Sequence, residues 1–327
     1  MLHVTNGDSV IEGFKEGEIR GVYLAWADPL HDGPVPETSS LEALSDVRAR
    51  ALADFGWGSY SRIRQRFSTR DRTLAGFREH DETVLWFEHD LYDQLQLVQL
   101  LDWFSQQDPG GARLSLIQID DYPDATRLKP DTTHRAVFHG LGELNGEELA
   151  RLLPSRVPIT TEHLELGRTT WQAVRAPEPS SLVDMARHQH AALPFLAPAL
   201  RRFVEEYPSI QNGLSRTEQQ ILVAAALGAR QRQALYFQTQ SFESCPWGDA
   251  SVFLRVEALA AAPNPALTRI GADEFAINDH GKRLLAGDED WVRSSGGLDR
   301  WIGGVHLTGD DVRWRWSEPR RTLTGLT

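Results

Sequence analysis

Near the N-terminus, four short apolar runs each give way to a polar cluster: Asn6-Gly7-Asp8-Ser9, Asp28 with His31-Asp32, Glu88-His89-Asp90, and Asp120-Asp121. Helical patterns separate the runs. Such alternation specifies parallel strands joined by crossover helices, because a tight hairpin cannot connect parallel neighbours. Parallel strands point one way, so all four clusters are expected on one edge of one sheet. That edge is where open α/β sheets bind ligands.

Residues Leu2 to Thr5 form the first run, and Gly7 opens a helix over Val10 to Gly17 with Asp8 or Ser9 as its cap. Val22 to Trp26 is the second, leading into Asp28-Pro29-Leu30-His31-Asp32-Gly33-Pro34-Val35-Pro36, a loop whose prolines and glycine fix its path. Ser40 to about His80 reads as helical and carries eight arginines, most of them expected on solvated faces. Thr83 to Phe87 is continuously apolar, as in a strand buried on both faces. A helix over Leu91 to Phe104, a turn at Asp108-Pro109-Gly110-Gly111 and a strand over Leu114 to Ile119 complete this part.

The sequence predicts three units: a Rossmann-like α/β domain with a parallel sheet over 1–140, a helical region over 141–212, and a winged-helix-like domain with a Trp-rich tail over 213–327. Middle helices are expected over Glu147 to Leu153, Thr161 to Arg175 and Ser181 to Ala191, and from Pro194 to Tyr207. Ser215 and Glu218 have the spacing of a capping box before Ile221 to Leu227. Helices around Arg230 to Thr239 and Asp249 to Ala261 then precede two strands, Leu267 to Ile270 and Glu274 to Asn278, with Gly271 at their turn. In the tail, Gly303-Gly304 reads as a loop packed back on the body beside Trp301, Trp314 and Trp316.

The 327-residue chain carries a formal net charge of -12, which opposes long-range attraction to nucleic acid or an anionic membrane. Its one cysteine, Cys245, excludes an intrachain disulfide and Cys-rich zinc sites and suits a cytoplasmic protein. The N-terminus has no export signal, and no apolar run is long enough to span a bilayer.

The Gly7-Asp8-Ser9 turn feeds a strand into a helix, whose first amides can hold a small anion such as a phosphate. His89 and Asp93, four apart, are expected to face one direction and share a metal or a proton, with Asp90 as helix cap. His31, Asp32 and Asp121 from neighbouring strand ends add nitrogen and oxygen ligands for a divalent cation. The candidate catalytic residues are therefore His89, Asp90, Asp93 and Ser9, and the candidate ligand-binding residues are Asn6, Gly7, Asp8, Asp28, His31, Asp32, Glu88 and Asp121. Arginines between Arg48 and Arg78 could close over the edge and clamp an anion. Against all of this stands the plain alternative that Asp and His at strand ends cap helices and shape turns.

Gly7-Asp8-Ser9, with Val10 and Gly13, resembles the first block of the serine hydrolases named for a Gly-Asp-Ser-Leu motif; that resemblance implies Ser9 as nucleophile. The family's late Asp-x-x-His block has no clear match: Asp279 and His280 are adjacent and fall in the expected winged unit. Leu2-His3-Val4-Thr5-Asn6-Gly7-Asp8-Ser9, Asp28-Pro29-Leu30-His31-Asp32-Gly33-Pro34, Glu88-His89-Asp90-Leu91-Tyr92-Asp93-Gln94 and Asp299-Arg300-Trp301-Ile302-Gly303-Gly304-Val305-His306 resemble the bacterial family carrying domain of unknown function 1835. The resemblance spans nearly the whole chain. It implies that Gly7, Asp8, Ser9, Asp28, His89 and Asp90 belong to the family pattern, and it carries no mechanism.

The expectation is a protein that binds a small anionic, phosphate- or nucleotide-like ligand, with a divalent metal assisting hydrolysis or phosphoryl transfer. One rival is a ligand-sensing regulator that binds DNA through the C-terminal unit. Its third helix carries only Asp249, Arg255 and Glu257 as charged residues, a poor face for phosphates, although Arg313, Arg315, Arg320 and Arg321 follow in the tail. The other rival is a protein-interaction module without catalysis.

Overall fold

A computed structural model describes residues 1–121, 140–245 and 247–325. The chain begins as β1 (Leu2–Thr5), α1 (Asp8–Glu16), β2 (Val22–Ala25), α2 (Leu41–Asp54), α3 (Tyr60–Ala75), β3 (Glu82–Glu88), α4 (Leu91–Ser105) and β4 (Arg113–Ile119). These strands form a parallel sheet in the order β2-β1-β3-β4, and β5 (Val157–Pro158) adds an antiparallel edge. This is the parallel α/β sheet that the four apolar runs predict.

Alternate residues of β3 serve two cores, which is why its sequence is apolar throughout. Val84 and Trp86 pack with Val10 and Phe14 of α1 and with Leu149 of α5 (Gly146–Leu152). Leu85 and Phe87 pack on the opposite face with Leu95, Val98 and Leu101 of α4 and with Trp171 of α6 (Thr161–Arg175). The helical stretch between β2 and β3 is two helices, broken where Gly56 and Gly58 take positive φ values of 77° and 148°. α1 starts at Asp8, one residue after an extended Gly7, so the cap is Gly7 and not Asp8 or Ser9.

The middle region continues with α7 (Ser180–Arg187) and α8 (Leu196–Val204). Next come α9 (Arg216–Ala226), α10 (Arg232–Gln240), α11 (Asp249–Ala261) and an antiparallel hairpin of β6 (Leu267–Gly271) and β7 (Glu274–Ile277), turning at Ala272-Asp273 rather than at Gly271. The capping box of α9 is present: Glu218 N donates to Ser215 Oγ at 3.2 Å, and Ser215 N donates to Glu218 Oε2 at 2.8 Å. α12 (Asp279–Ala286) and α13 (Trp291–Ser294) lead to the tail.

The tail is not a plain loop. β8 (Leu298–Ile302) and β9 (Val305–Gly309) form a hairpin with Gly303-Gly304 as its turn, and β10 (Trp316–Ser317) pairs with β11 (Thr322–Leu323). The glycine turn does pack on the body: Gly304 N donates to Val174 O and Val35 N donates to Gly303 O, both at 2.8 Å. A Cβ on Gly304 would lie 1.9 Å from Arg175 O, so only glycine fits there. Among the described residues, no helix is long and apolar enough to cross a membrane.

Candidate functional site

β1 and β3 are neighbours whose crossovers leave in opposite directions, β1 toward β2 and β3 toward β4. The crevice between their carboxyl ends is the sheet's switch point, where such folds bind ligands. Asn6 and Gly7 leave β1 there. Glu88 ends β3, Asp90 caps α4, and Asp93 lies in that helix's first turn.

One oxygen each from Glu88, Asp90 and Asp93 lies within 4.8 Å of the other two. Asn6 holds two of these groups together, its Nδ2 donating to Asp93 Oδ2 at 2.9 Å and to Glu88 Oε1 at 3.1 Å. Asp93 Oδ1 accepts from the Glu88 amide at 2.7 Å, and Asp90 Oδ1 accepts from the Asp93 amide at 2.8 Å. From across the crevice, Leu141 N donates to Glu88 Oε1. A Cβ on Gly140 would lie 2.2 Å from Glu88 Oε2, so the chain passes too close for any side chain at that position.

Burial pushes the Glu88 carboxyl up to about 8, with the neighbouring Asp90 charge adding to it. Burial likewise raises Asp90 to about 6. Asp93 is held well above the carboxylate range by burial and then by Glu88 and Asp90. Among the described residues, no Lys or Arg forms an ion pair with any of the three. Three acids this close ionise together only if a cation compensates them; otherwise they retain protons.

The remaining expected residues do not join this group. His89 precedes the cap, and its ring lies 6.2 Å from the Phe195 ring, outside the group formed by Glu88, Asp90 and Asp93. Burial lowers the His89 pKa, which favours the neutral ring. Asp28 is buried, and its Oδ1 accepts from Arg48 Nε at 3.0 Å and Nη2 at 2.8 Å. Arg70 Nη1 lies 3.9 Å from Asp28 Oδ2, so these two arginines clamp an internal carboxylate and not a bound anion.

His31 and Asp32 face α11 instead. His31 Nε2 is 2.9 Å from Ser251 Oγ, and Arg255 Nη2 donates to Asp32 Oδ1 at 2.7 Å. Burial alone would raise the Asp32 carboxyl, but Arg255 and His31 hold it below the usual value. Asp8 is exposed and pairs with Arg66 at 3.2 Å. Ser9 is exposed near Gly142, and among the described residues its hydroxyl bonds to no histidine. Asp121 is exposed beyond β4 and lies outside the carboxylate trio.

Sequence reasoning missed Tyr92, Cys245 and Trp247. Tyr92 OH donates to Asn6 O at 3.1 Å, tying α4 to β1. Cys245, whose thiol is raised by burial and in part by Asp90, lines a cavity of about 530 Å³ with His89, Arg202 and Arg216. Trp247 lines that cavity and also a second one of about 420 Å³ that Asp90, Tyr92 and His31 border. Only Tyr92 had a local signal, its place between Asp90 and Asp93. No protein-family model matches this chain, and no curated protein matches it.

Proposed function

We propose that the chain holds a hard divalent cation, Mg²⁺ or Mn²⁺, on Glu88, Asp90 and Asp93, and uses it for hydrolysis or phosphoryl transfer on a small phosphate-bearing ligand. The observation that carries this is the trio of carboxylates within 4.8 Å at the switch point, Glu88 and Asp93 buried and Asp90 half-buried, with no basic side chain paired to it among the described residues. An all-oxygen donor set suits Mg²⁺, Mn²⁺ or Ca²⁺ over the softer metals. When bound, the cation would polarise a phosphoryl oxygen and lower the pKa of a coordinated water.

The chain's own groups then have distinct tasks. Glu88, Asp90 and Asp93 bind the cation, and Asn6 orients two of them. Gly7 has open space where a side chain would stand, at the amino end of α1, and this leaves room for phosphate oxygens to approach the helix amides. An anion would otherwise be repelled by the trio. His89, at the β3–α4 junction and with its pKa lowered by burial, is the group this reading assigns to proton transfer.

This reading is tested by assaying release of p-nitrophenol from p-nitrophenyl phosphate and its bis-ester with Mg²⁺ or Mn²⁺. Turnover that requires the metal and is lost in Asp93→Asn supports the reading. Turnover indifferent to EDTA counts against it.

The unit from α9 to β7 is read here as a winged helix: three helices precede a hairpin, and Gln231 bridges antiparallel to Glu274 of β7. Its third helix, α11, is turned inward. Ser251 and Arg255 meet His31 and Asp32, while Glu257 pairs with Arg232 and Arg269. That use favours a structural winged helix over a DNA reader. We place this activity in the bacterial cytoplasm, in keeping with the resemblance to the family of domain 1835 and the single cysteine.

A further inference from the structure

The cavity of about 420 Å³ beside Asp90 has four aromatic walls: Trp57, Tyr92, Tyr236 and Trp247. Asp90 and Asp249 are its charged lining residues, and among the described residues no Lys or Arg borders it. Asp90 caps α4 and Asp249 begins α11, so each carboxylate meets the positive end of a helix and neither is paired with a basic side chain among the described residues. Ring faces and a nearby carboxylate attract organic cations. The volume falls in the range of small-molecule sites.

We propose that this cavity binds the ammonium head of an organic amine, held by the aromatic walls and by Asp90. The assignment goes beyond the metal reading: it uses Asp90 as a wall charge and needs no bound metal.

Ligand-observed NMR titrations in EDTA compare n-butylammonium, n-butanol and n-butyrate, which share one chain and differ in charge. The expected result is saturable binding of n-butylammonium at least about tenfold tighter than either of the other two, weakened by about tenfold in Trp57→Leu. Equal binding of n-butanol, preference for n-butyrate, or undiminished binding in a folded Trp57→Leu overturns the proposal. Mn²⁺ titration of the same Trp57→Leu protein separates the two readings, because the metal site should be unaffected there.

Discussion

Arg255 of α11 donates to Asp32 of the β2 loop at 2.7 Å, with both side chains buried. Glu206 reinforces the contact, its Oε2 lying 3.9 Å from Arg255 Nε. The pair joins the C-terminal helices to the sheet edge that carries the candidate site. Arg255→Leu leaves the buried Asp32 without its arginine, while Glu206 keeps Arg202 at 2.7 Å, and a broken buried pair costs about 3–5 kcal/mol. Urea denaturation of the two proteins should show that loss. A change below about 1 kcal/mol would mean that the pair does not join these units.

The same contact turns Arg255, the basic residue of α11, inward to Asp32. Fluorescence anisotropy with duplex DNA at low salt should show no binding with the steep salt dependence of multiple phosphate contacts. Micromolar binding that weakens by orders of magnitude as salt rises would restore the regulator reading.

His3 supplies the clearest acid dependence. It lies among Phe14, Tyr23 and Trp86, and its Nδ1 accepts from Trp86 Nε1 at 3.2 Å. Burial lowers its pKa from 6.5 to about 4. Below 6.5 the unfolded chain takes up a proton that the folded chain refuses, so stability falls as pH drops from about 6.5 to about 4. The loss should reach roughly 2–3 kcal/mol across that window. Denaturation of wild type and His3→Gln at several pH values checks it: the variant should lose that part of the slope.

Gly140 lets the chain pass over Glu88. A Cβ there would meet Glu88 Oε2 at 2.2 Å, and its φ of 158° disfavours any other residue. Gly140→Ala should displace Glu88, destabilise the fold by about 1–3 kcal/mol and weaken cation binding. Differential scanning calorimetry with and without Mn²⁺ reads both effects. A variant with unchanged Tm and unchanged Mn²⁺ stabilisation would show that Glu88 is free to move.

Local patterns carried much of this architecture. Continuous apolar character marked β3, and Ser215-x-x-Glu218 marked the start of α9. The switch point followed from where the polar clusters stood, and the Asp249–Ala261 helix followed from its apolar pattern. What escaped were contacts set by tertiary packing. Asp32 and Arg255 stand 223 residues apart, and nothing local pairs them. His89 and Glu88 are adjacent, yet only the turn into α4 decides which of them joins Asp93. The two-residue β5 is too short to leave a periodic pattern. Asp28 looked like a ligand group until Arg48 was found to occupy it.

The central claim is that Glu88, Asp90 and Asp93 hold one divalent cation. Isothermal titration of the metal-free protein with Mn²⁺ tests it most directly, with Asp90→Asn and Asp93→Asn titrated alongside. The account predicts saturable binding of one Mn²⁺ per chain, weakened at least about tenfold in each folded variant. Absence of saturable binding in the wild type, or equal affinity in all three proteins, would contradict it.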